Sequence, residues 1–371
     1  MGSTLACFIT AHGFGHAARA SAVLAQLALL EPDLEIHLYT QVPYRFFEQS
    51  LAGGFEYHEL DVDLGLIQTS ALKVDLPQSL AALRSRLPFK AEWVTQLAEE
   101  LKQINANFVL ADIAPLGLLV ARQAQIPSFL LENFTWDWIY QSYKEYDQAY
   151  VQLAVYLKGL FDLADWHIQG EPFCQEFSGA LVTEPIARNS RKTRLETRIQ
   201  LGLQPDQRLC LLTLGGWGGA HLGPPRGRLE KSWVFVSPGA SQQVEQVGNW
   251  IKLPKESEFY HPDLMAAADL VVTKLGYSTI AEAWVSQTPM LYLARPDYVE
   301  SAPLEAWVKK NIPSGRIAWK KIAQGNWANQ LNEIVLVPKG PPRRGGASIA
   351  AQWIFEKLHE RKKEIPDFGG R

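Results

Sequence analysis

Cysteine is scarce in this chain: three in 371 residues, Cys7, Cys174 and Cys210, far apart from one another. Their spacing matches no metal-ligand pattern, and so few scattered thiols fit a reducing compartment. Cys7 and Cys210 lie in apolar runs, as buried thiols do. No run reaches the roughly 18 consecutive apolar residues that span a bilayer. An excess of one charge is missing too. The 36 basic and 39 acidic residues leave a net charge of −3, which argues against nucleic acid as the main partner. Residues 4–10 read as a strand, not as the apolar segment of a signal peptide. These absences together predict a soluble, cytoplasmic protein, and 371 residues suffice for two domains with real cores.

What is present is alternation. Residues 5–10 predict a strand, 11–16 (Ala-His-Gly-Phe-Gly-His) a turn, 17–30 a helix and 34–39 a second strand, a βαβ opening. A third strand follows at 55–60. Residues 61–73 are irregular and carry Asp61 and Asp63, a loop over a cleft. Residues 79–104 read as one helical stretch. Strands at 108–111 and 128–131 end at Asp112 and at the run Glu132-Asn133-Phe134-Thr135-Trp136-Asp137. A long helix over 138–163 comes next. The chain crosses at 184–188, and a second alternating set begins at 208.

The pattern predicts an α/β protein with two doubly wound domains, 1–185 and 186–345. A helix and basic tail, 346–371, is expected to pack back on the first domain. Sheets of this kind bind ligands at the carboxyl ends of their strands. His12, His16, Asp112, Asn133 and Asp137 fall at such ends.

One stretch of the second half has the makings of an anion site. Residues 270–273 (Leu-Val-Val-Thr) form a short β-branched run, Gly276 turns the chain, and a helix follows carrying Ile280, Ala283 and Trp284. The unpaired amides at a helix start favour a phosphate, with Lys274 as counter-charge. Thr279 and Glu282 stand three apart, which fits a capping box.

The order of these features resembles the GT-B glycosyltransferases. The segment His12-Gly13-Phe14-Gly15-His16 resembles the acceptor-side glycine loop of the MurG-type enzymes. Five pieces are similar to the glycosyltransferase-like N-terminal half of plant-type L-arabinokinase: residues 12–19, 68–75, 133–138, 274–282 and 295–298. The galactokinase-type domain of that family is not legible in residues 1–371, so sugar kinase activity is not carried over.

The resemblance implies transfer of a sugar from a small-molecule donor, a nucleotide sugar that is UDP-linked, to an unidentified acceptor. On the donor side it implies Gly215 and Gly216 as a glycine loop, Lys274, Gly276, Ser278 and Thr279 at the diphosphate, and Glu282 on the ribose hydroxyls. Asp297 and Glu300 are the sugar-side residues, with Glu300 where relatives often have Gln. His16 is the expected general base and His12 its alternative. An imidazole suits proton removal at neutral pH, and a helix start would favour its neutral form. Gly13, Gly15, Asp112, Asn133 and Asp137 are the acceptor-side set. No Asp-x-Asp pair ends a strand of the second domain, so no obligatory metal is expected. Two other readings stand beside transfer, a nucleotide-sugar epimerase and a non-catalytic nucleotide-sugar-binding protein. The basic residues of 357–363 are the one hint of membrane-surface contact. Acceptor and oligomeric state are not written in the sequence.

Overall fold

The computed structural model describes residues 2–63, 65–70, 72–215, 222–226, 232–334 and 339–364. Among the described residues nine strands lie in the first half: β1 (Thr4–Ile9), β2 (Glu35–Thr40), β3 (Glu56–Glu59), β4 (Gln68–Ser70), β5 (Lys73–Val74), β6 (Phe108–Asp112), β7 (Ser128–Glu132), β8 (Trp166–Gly170) and β9 (Leu181–Thr183). The second half adds β10 (Arg208–Thr213), β11 (Trp233–Ser241), β12 (Glu245–Val247), β13 (Trp250–Pro254), β14 (Leu270–Lys274), β15 (Met290–Leu293) and β16 (Ser314–Arg316).

Two seven-stranded sheets result, ordered β3-β2-β1-β6-β7-β8-β9 and β12-β13-β11-β10-β14-β15-β16. The first is parallel throughout, and the second is parallel except for β12. The central strands have the composition that position demands. Every residue of β1, β6 and β7 is buried, because helices cover both faces of a parallel sheet. In each sheet the strand order reverses beside the first strand of the unit, between β1 and β6 and between β10 and β14. Ligand crevices form at such switch points. Here they carry His12 to His16 with Asp112 in one domain, and Gly215 with Lys274 to Thr279 in the other.

Several elements differ from the sequence expectation. The stretch 79–104 is two helices, Leu76–Arg86 and Ala91–Gln103. Pro88 has no N–H to continue the first, and Leu87 is already extended. The expected helix over 138–163 is also two, Trp136–Gln141 and Ala149–Phe161. Asp147 Oδ1 accepts the Ala149 N–H at 2.8 Å, a local bond that starts a new helix instead of continuing the old one. The loop 61–73 contains the β4–β5 hairpin, and β9, β12 and β16 went unread as strands.

The last helix, Ala347–Glu364, packs on the first domain. Its Ala350, Ala351, Ile354 and Leu358 join Leu24, Leu27, Phe129 and Ile186 in one apolar cluster. Among the described residues no helix is long and apolar enough to cross a membrane.

Candidate functional site

The two switch points face each other. A Cβ added to Gly15 would stand 3.4 Å from Ser278 Oγ, so this small residue lets the glycine loop of the first domain approach the helix Tyr277–Val285 of the second. Phe134 and Tyr277 meet across the same gap, ring centroids 5.5 Å apart. Between the domains lies a cavity of about 470 Å³, lined by His12, Gly13, Gly15, His16 and Arg19 on one side. Gly215, Lys274, Gly276, Ser278, Thr279, Arg295 and Glu300 line the other. A second cavity, about 340 Å³, continues from it past Gly215, Ser278 and Thr279 to Arg188, His261 and Glu282.

On the first-domain side the turn depends on Gly13, with φ +87° and no atom near its missing Cβ. Its backbone alone calls for glycine. The helix starts at Phe14, so His16 lies inside its first turn, not at its start. His16 Nδ1 is 3.1 Å from Asp112 Oδ1, and Asp112 is fully buried behind it. Arg19 grips the same carboxylate with Nε at 2.8 Å and Nη2 at 2.6 Å, and donates from Nη1 to Asn133. Burial lowers the His16 pKa, Asp112 opposes that shift, and Arg19 adds to it. Loss of solvent thus shifts the ring toward its neutral form.

His12 is pushed down to about 3, by burial first and then by His16, Arg295 and Lys274. Its Nε2 meets the Gln68 amide at 2.9 Å, and its ring sits edge-on to Trp136. Trp136 Nε1 donates to Asp63 Oδ2 at 2.6 Å, and Thr10 Oγ1 donates to Asp63 Oδ1 at 2.6 Å. Burial nonetheless lifts the Asp63 carboxyl to about 7.

On the second-domain side, Gly276 caps the helix Tyr277–Val285 with no side-chain cap. The expected Thr279–Glu282 capping box is absent. Thr279 is in the first turn and Glu282 in the next, so they cannot close that pair. A capping box does form elsewhere, Thr193 with Glu196 on the helix Arg194–Gln200. Glu282 is instead held at both oxygens. Arg188 donates to Oε1 from Nη2 at 2.9 Å and from Nε at 3.3 Å, and His261 Nδ1 stands 2.7 Å from Oε2. Burial alone would raise this carboxyl, but Arg188 and His261 reverse that and hold it down at about 2. Lys274 falls to about 7, through burial and then repulsion by Arg295. Glu300, buried beside Arg295 and Lys274, is raised by its burial.

Not every expected residue reaches the cleft. Asp112 and Asn133 stand behind His16 and Arg19. Asn133 Nδ2 donates to the Gly170 and Pro172 carbonyls, a role inside the domain. Asp137 sits in the first turn of Trp136–Gln141 and does not line the cavity. Asp297 is exposed, and the loop meets Tyr143 through its backbone carbonyl. Gly216 lies outside the described residues. Sequence reasoning missed Arg19, Arg188, His261 and Arg295, which line the two cavities. Arg19 had a signal, three residues beyond His16 on the same helix face. Arg188 had none, since it stands in the crossing segment and meets its partners only in the folded chain. Among the described residues no group of three His, Cys, Asp or Glu is placed to hold a metal ion.

Solved structures share this fold. The calicheamicin glycosyltransferase CalG4 superposes over 100% of both chains with a TM-score of 0.59 at 12% identity. Acinetobacter baumannii MurG covers 96% of this chain and 99% of its own, TM-score 0.53, 16% identical. The fold is GT-B. Phytolacca americana UGT2, complexed with UDP-2fluoro-glucose and pterostilbene, aligns over 99% of this GT-B chain and 96% of its own, TM-score 0.57, 13% identical. In sequence, L-arabinokinase of Arabidopsis thaliana is 28% identical over 362 residues, 95% of this chain. The chain spans only 34% of that relative's length. No family model matches the GT-B chain.

Proposed function

We propose that the protein is a glycosyltransferase that moves a sugar from a nucleoside-diphosphate sugar, UDP-linked, to a small-molecule acceptor without an obligatory metal. The acceptor hydroxyl attacks the anomeric carbon as the bond from that carbon to the diphosphate oxygen breaks. The hydroxyl proton passes to His16 Nε2, and the nucleoside diphosphate leaves.

The observation that carries this reading is the opposition of two half-sites across one cleft. One is a neutral imidazole backed by a buried carboxylate, His16 on Asp112. The closer Asp112 Oδ1 favours the proton on Nδ1 over the alternative in which Nδ1 accepts from Arg19 Nη2 at 3.3 Å, and so leaves Nε2 as the base. The other is the amino end of Tyr277–Val285, with Lys274 beside it. Its free amides and the ammonium suit the charge that develops on a departing diphosphate. The cavity running on to Glu282 is the place for the nucleoside, with Glu282 at the ribose. Glu300, with Arg295 beside it, faces the sugar. His12 positions the acceptor rather than taking its proton, because its Nε2 is already engaged by Gln68.

The test is a thermal-shift series with UDP, GDP, ADP and dTDP and their common sugars, followed by assay of nucleoside diphosphate release. A ligand at 100 times its Kd stabilises the fold by about 2.7 kcal/mol. A rise with one nucleotide family, followed by sugar-dependent release, is expected. Folded protein that responds to none of them would sink the transferase reading. Release without acceptor, with an isomerised sugar, would mark an epimerase. Binding without turnover would mark a sensor.

A further inference from the structure

Glu282 sits where the two domains are tied together. Arg188, which holds it, lies in the segment that joins them, and its guanidinium reaches into both. Toward the second domain it donates to Glu282 and stacks over Tyr260, 5.1 Å from the ring centroid. Toward the first it donates from Nη1 to Ser50 Oγ at 3.1 Å and stacks over Phe46 at 4.8 Å. Both members of the Arg188–Glu282 pair are buried, their side chains 9% and 3% exposed. The other polar ties nearby are slighter. Arg45 and Glu256 pair in open solvent, and Gln49 Nε2 reaches the Ser257 carbonyl at 3.3 Å. An exposed ion pair contributes little, whereas a buried one is costly to break.

Acceptor capacity on Glu282 is nearly used up. A carboxylate oxygen has two lone pairs. Oε1 already takes two N–H groups from Arg188, the Nε bond being the longer at 3.3 Å. Oε2 takes one, from His261. One hydroxyl can therefore bind at Oε2 with nothing displaced. A second, at Oε1, requires Arg188 Nε to withdraw, and the guanidinium cannot move without changing its hold on Ser50 and Phe46.

We propose that Arg188 is a positioning residue that aims Glu282 into the nucleotide cavity and makes nucleotide binding and the angle between the domains one linked equilibrium. The proposal rests on the nucleotide-site reading above. Linkage is reciprocal: whatever the ligand does to the angle, the angle does to the affinity. His261 holds the other oxygen of the same carboxylate, and its hydrogen bond to Glu282 stays within the second domain, which makes it the control.

The experiment measures nucleotide affinity by calorimetry and the radius of gyration by small-angle scattering, with and without saturating nucleotide. UDP, GDP, ADP and dTDP are run in parallel on wild type, Arg188→Ala, Arg188→Lys and His261→Ala. Wild type is expected to change its radius on binding. Arg188→Ala should bind about tenfold more weakly or worse, the loss of a charged hydrogen bond, and its radius should no longer respond. His261→Ala should also bind more weakly, yet keep the change in radius. Arg188→Lys serves if the alanine variant does not fold. One ammonium beside Glu282 keeps the charge but cannot also hold Ser50, so affinity should fall less while the radius response is lost. A wild type that binds without changing radius would overturn the linkage and leave the transferase reading intact. So would Arg188 variants that bind as wild type or keep the response, or a His261 variant that loses it. A wild type that binds no nucleotide would take down both readings.

Discussion

The Nδ1 of His16 lies 3.1 Å from Asp112 Oδ1, while Arg19 takes both oxygens of the same carboxylate. Asp112 thus serves two partners. It orients the imidazole, and it neutralises a buried guanidinium. Substitutions should separate these roles. His16→Ala should keep the fold and lower turnover by about 10²–10⁴, the usual contribution of a general base, with nucleotide affinity little changed. Asp112→Ala should also destabilise the protein by about 3–5 kcal/mol, because Arg19 is left buried and uncompensated. Release assays paired with urea unfolding check both. Equal stability losses for the two variants would contradict the assignment.

On the proposed reading, Lys274 is expected to couple nucleotide binding to pH. In the empty cleft, burial and the repulsion of Arg295 hold it near 7, far below an ordinary lysine. A bound diphosphate favours its charged form and raises its pKa. Binding above pH 7 must then take up a proton. Affinity should be flat below about pH 7 and weaken as pH rises toward 9, by no more than about tenfold per unit. Calorimetry in two buffers of different ionisation heat would read the proton uptake directly. Lys274→Met should bind more weakly and lose the pH dependence. An unchanged profile in that variant would assign the effect elsewhere.

Asp63 gives a stability signature at ordinary pH. Its folded pKa, about 7, lies above the unfolded value of about 4, because burial outweighs the hydrogen bonds from Thr10 and Trp136. The folded state then binds more protons between those values. The Asp63 contribution is fully present below about pH 4 and is lost as pH rises through about 7. Asp63→Asn can keep both contacts, its oxygen accepting from Trp136 and its amide donating to a turned Thr10 hydroxyl. Relative to that variant, wild type should lose stability steadily from pH 5 to 7. Melting temperatures of the two proteins in matched buffers check this, and parallel curves would exclude it.

Much of the architecture was legible because it depends on local composition. β1 and β14 are short apolar runs that end at glycine turns, and a run of that kind in an alternating chain has few places other than the middle of a parallel sheet. The breaks were less legible. Asp147 and Pro88 divide helices that periodicity alone would join, since periodicity records which residues are apolar and not where the backbone bonds change partner. The edge strands β9, β12 and β16 were missed for a related reason. They are three residues long and no residue of β12 or β16 is buried, so burial left little pattern to read.

The site divides in the same way. Local sequence determined the glycine turns, the helix over residues 17–30, which the structure begins three residues earlier at Phe14, the helix that follows Gly276, and the placement of His12, His16 and Lys274 near strand ends. Chain geometry over a few residues is enough for that. Only the tertiary structure decided which charges meet. Arg19 and Asp112 are separated by 93 residues, and Arg188 and Glu282 by 94. Glu282, which local spacing offered as a helix cap, became the buried anion between Arg188 and His261. Burial removes water as a partner for charge, so every ion inside must find its counter-ion from wherever the fold brings one.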